Sequence, residues 1–171
     1  MLRRSLTALA VVFALTVGSF SSGCSSSPTI PGTEIPDTPE FRSILEVLER
    51  YRTGFVRKDA AAVLSTAHVT YHDEAGTDDP SDDLGYDELG PLLRRRMDQL
   101  DSVRFTMEYL DASVHGDRAV VRVWIDASYR LKPFLDVDGS VRPQPQYSRA
   151  QDFAEFELLV EGDTWLIVRG I

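Results

Sequence analysis

The chain has 171 residues, with 27 acids against 18 bases, three histidines, one cysteine and a formal charge of −9. That length fits one domain, and the acidic balance excludes a nucleic-acid binder, which needs a basic footprint. A single cysteine excludes a disulfide framework and a multi-cysteine zinc centre, and three scattered histidines do not make a His-rich metal site.

The N-terminus opens with Arg3 and Arg4, followed by an apolar run from Leu6 to Phe20. A membrane span needs about 20 apolar residues, so this run is short for one. It has the flanks and size of a signal-peptide core. Ser21, Ser22, Gly23 and Cys24 come next. This stretch resembles a bacterial lipoprotein signal. Gly23 and Ser22 match the pattern, whereas Ser21 stands where an aliphatic residue is usual. The resemblance implies that residues 1–23 are removed, that Cys24 is acylated with palmitate-like chains, and that these chains attach the protein to the cell envelope. Ser25, in place of an aspartate, implies the periplasmic side of the outer membrane if the cell is Gram-negative. Cleavage takes away two arginines and no acids, moving the charge from −9 to −11. Such a surface is repelled by anionic headgroups, so anchoring falls to the acyl chains, each methylene contributing ~0.8 kcal/mol.

Residues 24–40 carry the string SSSPTIPGTEIPDTPE after the cysteine, with four prolines and little apolar surface. This composition predicts a disordered tether that reaches up to ~50 Å when stretched. Residues 41–171 form the expected domain. Phe41, Ile44, Leu45, Leu48, Tyr51 and Phe55 recur at helical spacing, and Ala60 to Thr66 reads as a short second helix. Val69 to Asp73 reads as extended. From Asp73 to Glu88 the sequence DEAGTDDPSDDLGYDE carries eight carboxylates and reads as an acidic loop. Asp87 to Leu100 reads as a third helix, with Pro91 in its tolerant first turn. Alternation then takes over. Val103, Phe105, Met107 and Tyr109 share one strand face, and Ala119, Val121, Val123, Ile125, Ala127, Tyr129 and Leu131 share another. A proline-rich excursion, Lys132 to Gln146, precedes a strand with Ala154, Phe156, Leu158 and Val160 on one face. A last strand runs from Thr164 to Ile171. Helices followed by an antiparallel meander make an α+β fold.

Three stretches together carry a likeness: ERYRTGFVRKDAAAVLSTAHVTYHDEAG, VHGDRAVVRVWI and FAEFELLVEGDTWLIVRG. In this order the chain resembles the NTF2-like family, also called SnoaL-like or ketosteroid-isomerase-like. The resemblance implies N-terminal helices packed on a curved antiparallel sheet, a cone open at one end to a small apolar ligand, and a homodimer through the sheet's outer face. It also implies, for the isomerase-like members, an aspartate base and a tyrosine oxyanion donor. Here Asp73 and Tyr51 match those positions, with His72 as a second candidate base. The chemistry would be proton abstraction beside a carbonyl. The family's further acid on a later strand has no match, since Asp126 faces away from the apolar stripe. Dehydratase-like members imply a His–Asp pair.

Other motifs read more plainly. His68 and His72 would sit about 13 Å apart if extended, too far for one ion. Asp78, Asp79, Asp82 and Asp83 lack the spacing and glycine of a calcium loop. Arg94, Arg95 and Arg96 form a solvent face. No Gly-rich loop or nucleophile motif is present, so neither cofactor nor metal is expected. Arg122, Trp124 and Phe153 lie opposite the apolar stripes, and an aromatic and arginine surface of this kind favours a protein interface. The expected protein is therefore an exported, lipid-anchored binding or interaction module. The alternative is an isomerase- or dehydratase-like enzyme.

Overall fold

The computed structural model describes residues 28–74, 79–81, 83–135, 140–142 and 147–171. The signal, Cys24, Asp78, Asp82 and most of the proline-rich excursion lie outside the described residues.

Helix α1 spans Pro39–Val56. Thr38 caps it by accepting the Phe41 N–H at 3.2 Å, and Pro39 takes the first helical position, where no N–H is needed. Its buried stripe is Ile44, Leu45, Val47, Leu48 and Tyr51. Lys58, at φ 56°, turns the chain, and its ammonium donates to the carbonyl of Asp101 at 2.8 Å. Asp59 then caps α2, Ala60–Leu64, by accepting the Ala62 N–H. A Cβ on Gly54 would stand 3.0 Å from Val63 Cγ2, so glycine lets α1 and α2 touch.

Residues His68–Tyr71 make a turn, closed by the Tyr71 N–H on the His68 carbonyl at 2.9 Å. Only His72–Asp73 of the expected extended stretch is a strand (β1), antiparallel to β2, Leu84–Gly85. Helix α3 spans Tyr86–Gln99 and buries Leu89, Leu93 and Met97. Arg94, Arg95 and Arg96 are exposed, as their spacing required.

The main sheet follows. Strands β3 (Leu100–His115), β4 (Arg118–Leu131), β7 (Tyr147–Glu161) and β8 (Thr164–Arg169) pair antiparallel in the order β3-β4-β7-β8. A two-residue pair, β5 (Phe134–Leu135) with β6 (Val141–Arg142), lies in the connection. The outer edge of β8 is not left bare. Ala67 bridges Ile167 in parallel, with the His68 N–H on Ile167 O and the Ile167 N–H on Thr66 O, both at 2.8 Å. Covering an edge in this way removes a template for aggregation.

The inner face contributes Phe105, Ala119, Val121, Val123, Phe156, Leu158, Trp165 and Ile167 to a core shared with all three helices. The predicted inner faces are observed for Val103, Phe105, Met107 and Tyr109, for alternate residues from Ala119 to Ala127 and from Ala154 to Val160, while Tyr129 and Leu131 at the end of β4 lie beyond the core.

A second expectation is also corrected. The tether assigned to residues 24–40 is folded over its described part. Thr29 bridges Pro36, the Ile30 N–H meets Ile35 O at 2.9 Å, and the Asp37 N–H meets Pro28 O at 2.8 Å. Ile35 is 1% exposed and belongs to the core. A single well-placed isoleucine outweighs the polar composition around it, because burying it removes a whole side chain from water.

Candidate functional site

Tyr51 sits at the centre of the buried face of α1, 5% exposed. Its ring meets Phe156 at 5.3 Å and Phe105 at 6.0 Å between centroids, both edge-on, and Phe55 at 6.2 Å. Phe55 in turn lies 4.9 Å from Phe105. Edge-on contacts of this kind stabilise a core beyond their area. Burial drives the Tyr51 phenol well above its ordinary pKa, with the neighbouring Tyr71 adding to the effect.

Asp73 is half-buried and meets a different tyrosine. Tyr71, 2% exposed, shares its hydroxyl hydrogen between Asp73 Oδ2 and Ile171 O, each at 3.3 Å, and its oxygen accepts the Ile171 N–H at 3.0 Å. Burial, with the Asp73 charge adding, pushes the Tyr71 phenol up to about 12. Gly170 makes this contact possible. At φ 103°, a Cβ there would stand 2.5 Å from Glu155 O, so only glycine returns the chain towards Tyr71.

His72 alternates away from Asp73 along β1. Its Nε2 lies 3.4 Å from Asp83 Oδ2 on an exposed side chain. His68 is buried, with Nδ1 2.7 Å from Thr70 Oγ1 and accepting the Thr70 N–H, and with Nε2 3.6 Å from Glu161. The two histidines thus serve separate partners. No group of three or more metal-ligating side chains forms among the described residues.

The tyrosine matched to the sequence pattern is therefore packed in aromatic rings, and the aspartate is held by Tyr71. Sequence reasoning missed Tyr71. The signal was present, since residues two apart in an extended segment share a side. Hollows lie elsewhere on the described surface. One of about 360 Å³ runs between α1 and α2, lined by Glu46, Arg50, Arg57 and Asp59 among others. Another, of about 230 Å³, is lined by His72, Arg118, Glu157 and Arg169 among others. Neither is lined by Tyr51, Tyr71 or Asp73.

The outer sheet face is better furnished. Glu108, Trp124 and Phe153 stand in one row across β3, β4 and β7. The Trp124 and Phe153 rings meet at 4.6 Å, edge-on, and Phe153 is 71% exposed. In the next row Arg122 donates to Asp111 at 2.7 Å. Between these rows is a hollow of about 320 Å³ lined by Leu110, Asp111, Arg122, Phe153, Ala154 and Glu155. On the other flank Asp126 accepts a bidentate pair from Arg149, at 3.0 and 2.6 Å, and a bond from Gln151. Asp126 thus points away from the core, as its strand position indicated.

Solved structures resemble this architecture. A candidate dehydratase of the NTF2-like family from Streptomyces avermitilis aligns with a TM-score of 0.55 over 76% of this chain and 92% of its own, at 16% identity. A ketosteroid isomerase-like protein from Erwinia carotovora atroseptica aligns at 0.56 over 78% and 94%, at 20% identity. The fold is the NTF2-like cone. A candidate aromatic ring hydroxylase from Novosphingobium aromaticivorans aligns at 0.59 over 75% and 84%, at 14% identity. No family model matches the chain, and no curated protein matches it in sequence. The fold is common to these neighbours, and a fold alone does not assign chemistry. In this NTF2-like cone the centre holds Tyr51, Phe105 and Phe156, and the most exposed aromatic ring among the described residues is on the sheet face turned away from the core.

Proposed function

We propose that the chain is an envelope lipoprotein, anchored through acylated Cys24, whose NTF2-like domain acts as an interaction module on the outer face of its sheet. The observation that carries this reading is Phe153, 71% exposed and braced edge-on by Trp124. Exposed aromatics next to arginine mark the energetic centres of protein interfaces. A second copy of the chain is the first partner to test, because the row Glu108–Trp124–Phe153 and the Arg122–Asp111 pair give a two-fold contact both apolar and charged elements.

Sedimentation velocity of the acylated protein in detergent tests this. The wild type is expected to sediment as a dimer, and Phe153→Asp as a monomer with an unchanged thermal midpoint. A wild-type monomer that also fails to retain any partner through Phe153 removes the reading.

The enzymatic alternative, proton abstraction using Tyr51 and Asp73, has less support. Both would have to reach one substrate atom within hydrogen-bonding distance. Tyr51 instead lies among Phe55, Phe105 and Phe156, and His72 is drawn to Asp83. A small apolar ligand within the cone would need these rings to part.

A further inference from the structure

The segment before α1 has an architecture that its composition does not indicate, and it decides how an anchored domain is presented. Pro28–Asp37 is a small hairpin. Thr33 turns it, its N–H and Oγ1 both donating to Ile30 O, at 3.0 and 2.9 Å, while Oγ1 accepts the Ile35 N–H at 3.1 Å. Gly32, at φ 82°, occupies the left-handed position of the turn. Ile35 is inserted in the core and Ile30 packs against it. Asp37 then accepts two bonds from the Arg42 guanidinium, one at 2.7 Å, which ties the hairpin to the first turn of α1.

This leaves only Ser25, Ser26 and Ser27 between Cys24 and the folded hairpin. Four Cα steps span at most ~15 Å, against the ~50 Å of an unfolded tether. The end of the domain that carries the hairpin is identifiable. A hollow lined by Ser43, Glu46, Val47 and Arg50 with Asp163, Thr164 and Trp165 sets the second and third turns of α1 beside the β7–β8 turn. Lys58, just past the other end of α1, donates to Asp101 O at the start of β3, so the N-terminal end of the helix points towards the β7–β8 side of the sheet.

We propose that the Pro28–Asp37 hairpin is a clasp that seats this end of the domain, the hairpin, the start of α1 and the β7–β8 turn, directly on the lipid surface. The proposal rests on the anchoring of Cys24. Seated so, β4 and β7 rise away from the membrane. Phe153 is six residues along β7 from Leu159, which pairs with Arg118 at the start of β4. At ~3.3 Å per residue the Trp124–Phe153 row stands ~20 Å further from the bilayer than the Arg118–Leu159 end. The seated end carries Glu34, Asp37, Glu40, Glu46, Glu161 and Asp163 against Arg42 and Arg50, so its acids outnumber its bases and it is not drawn down by anionic lipid. The short covalent link does the seating.

Energy transfer on the full acylated protein in phosphatidylcholine vesicles containing acceptor-labelled lipid tests the proposal. Acylation consumes the single cysteine, so an introduced one carries the donor alone. The donor is placed at Asp163→Cys, in the seated turn, or at Ser102→Cys, in β3 near its junction with α3, which pairs with Arg130 at the opposite end of β4. The expected result is transfer several-fold stronger from position 163 than from position 102. A flexible Gly-Ser insert between Ser27 and Pro28, or Ile35→Asp, is expected to abolish that difference, and the insert leaves the domain itself untouched. Equal transfer from the two positions in vesicle-bound, acylated protein overturns the seating alone. Protein that stays in the supernatant with Cys24 unmodified overturns the anchoring and the seating with it.

Discussion

Ile35→Ala isolates the difference between a clasp and a tether. The substitution removes three carbons from a side chain that is 1% exposed. At ~0.8 kcal/mol per buried methylene the transfer loss is about 2.4 kcal/mol, and the residual cavity brings the usual range for such a truncation to ~2–5 kcal/mol. The hairpin supplies a ceiling. It is held to the rest of the domain chiefly by Ile35, Ile30 and the Asp37–Arg42 pair, and it pairs with no strand of the main sheet, so it is expected to detach before the sheet unfolds. Detachment caps the global cost near the hairpin's own docking free energy, so a loss of about 2–3 kcal/mol is expected. The assay is equilibrium urea unfolding followed by tryptophan fluorescence, since Trp165 is 5% exposed in the core. A detached hairpin also exposes less new surface on unfolding, so the denaturant slope falls slightly. A change below ~0.5 kcal/mol, the value of an ordinary surface substitution, would refute the argument and restore a free tether.

Two further outcomes follow from the buried phenols. Tyr51, Tyr71 and Tyr109 all have phenols raised from an ordinary 10.0, Tyr71 to about 12, with burial the largest cause in each. The unfolded chain releases these protons first, so the stability they contribute is complete below pH 10 and is lost as pH rises towards and beyond 12. Phenolate absorbance from these rings should rise together with the collapse of near-ultraviolet dichroism, and an independent smooth titration would show them to be open to solvent. Tyr71→Phe removes the hydroxyl that joins Asp73 to Ile171 and leaves the Ile171 N–H without that acceptor. The expected cost is about 1–2 kcal/mol, read by urea unfolding and by faster exchange of the Ile171 amide. An unchanged exchange rate there would mean that the phenol does not hold the chain end.

Much of the fold was legible because it rests on local periodicity. The stripe Ile44–Leu48–Tyr51 sets the buried face of α1, and the alternation through Val121 and Val123 sets the inner face of β4. Those same alternations put Arg122, Trp124 and Phe153 on the outer face. The catalytic pattern was less informative. Tyr51 and Asp73 match positions in a family, but position in sequence does not say which ring an aspartate meets. Tyr71 lies two residues from Asp73, and the contact with Ile171 crosses a separation of 100 residues.

The sequence by itself determined the class of fold, the faces of the strands, and the resemblance of Ser22–Gly23–Cys24 to a lipidation signal. These depend on the order of residue types along a short stretch, which a period of 2 or 3.6 converts into a buried side. Only the tertiary structure decided that Tyr51 is enclosed by Phe105 and Phe156, that Asp73 belongs to Tyr71, and that Pro28–Asp37 folds onto the domain. The first joins segments far apart in the chain, the second is set by Ile171, 100 residues from Tyr71, and the third runs against the grain of local composition. The Ile35 side chain finds its place only once α1 and the sheet have built the core that receives it.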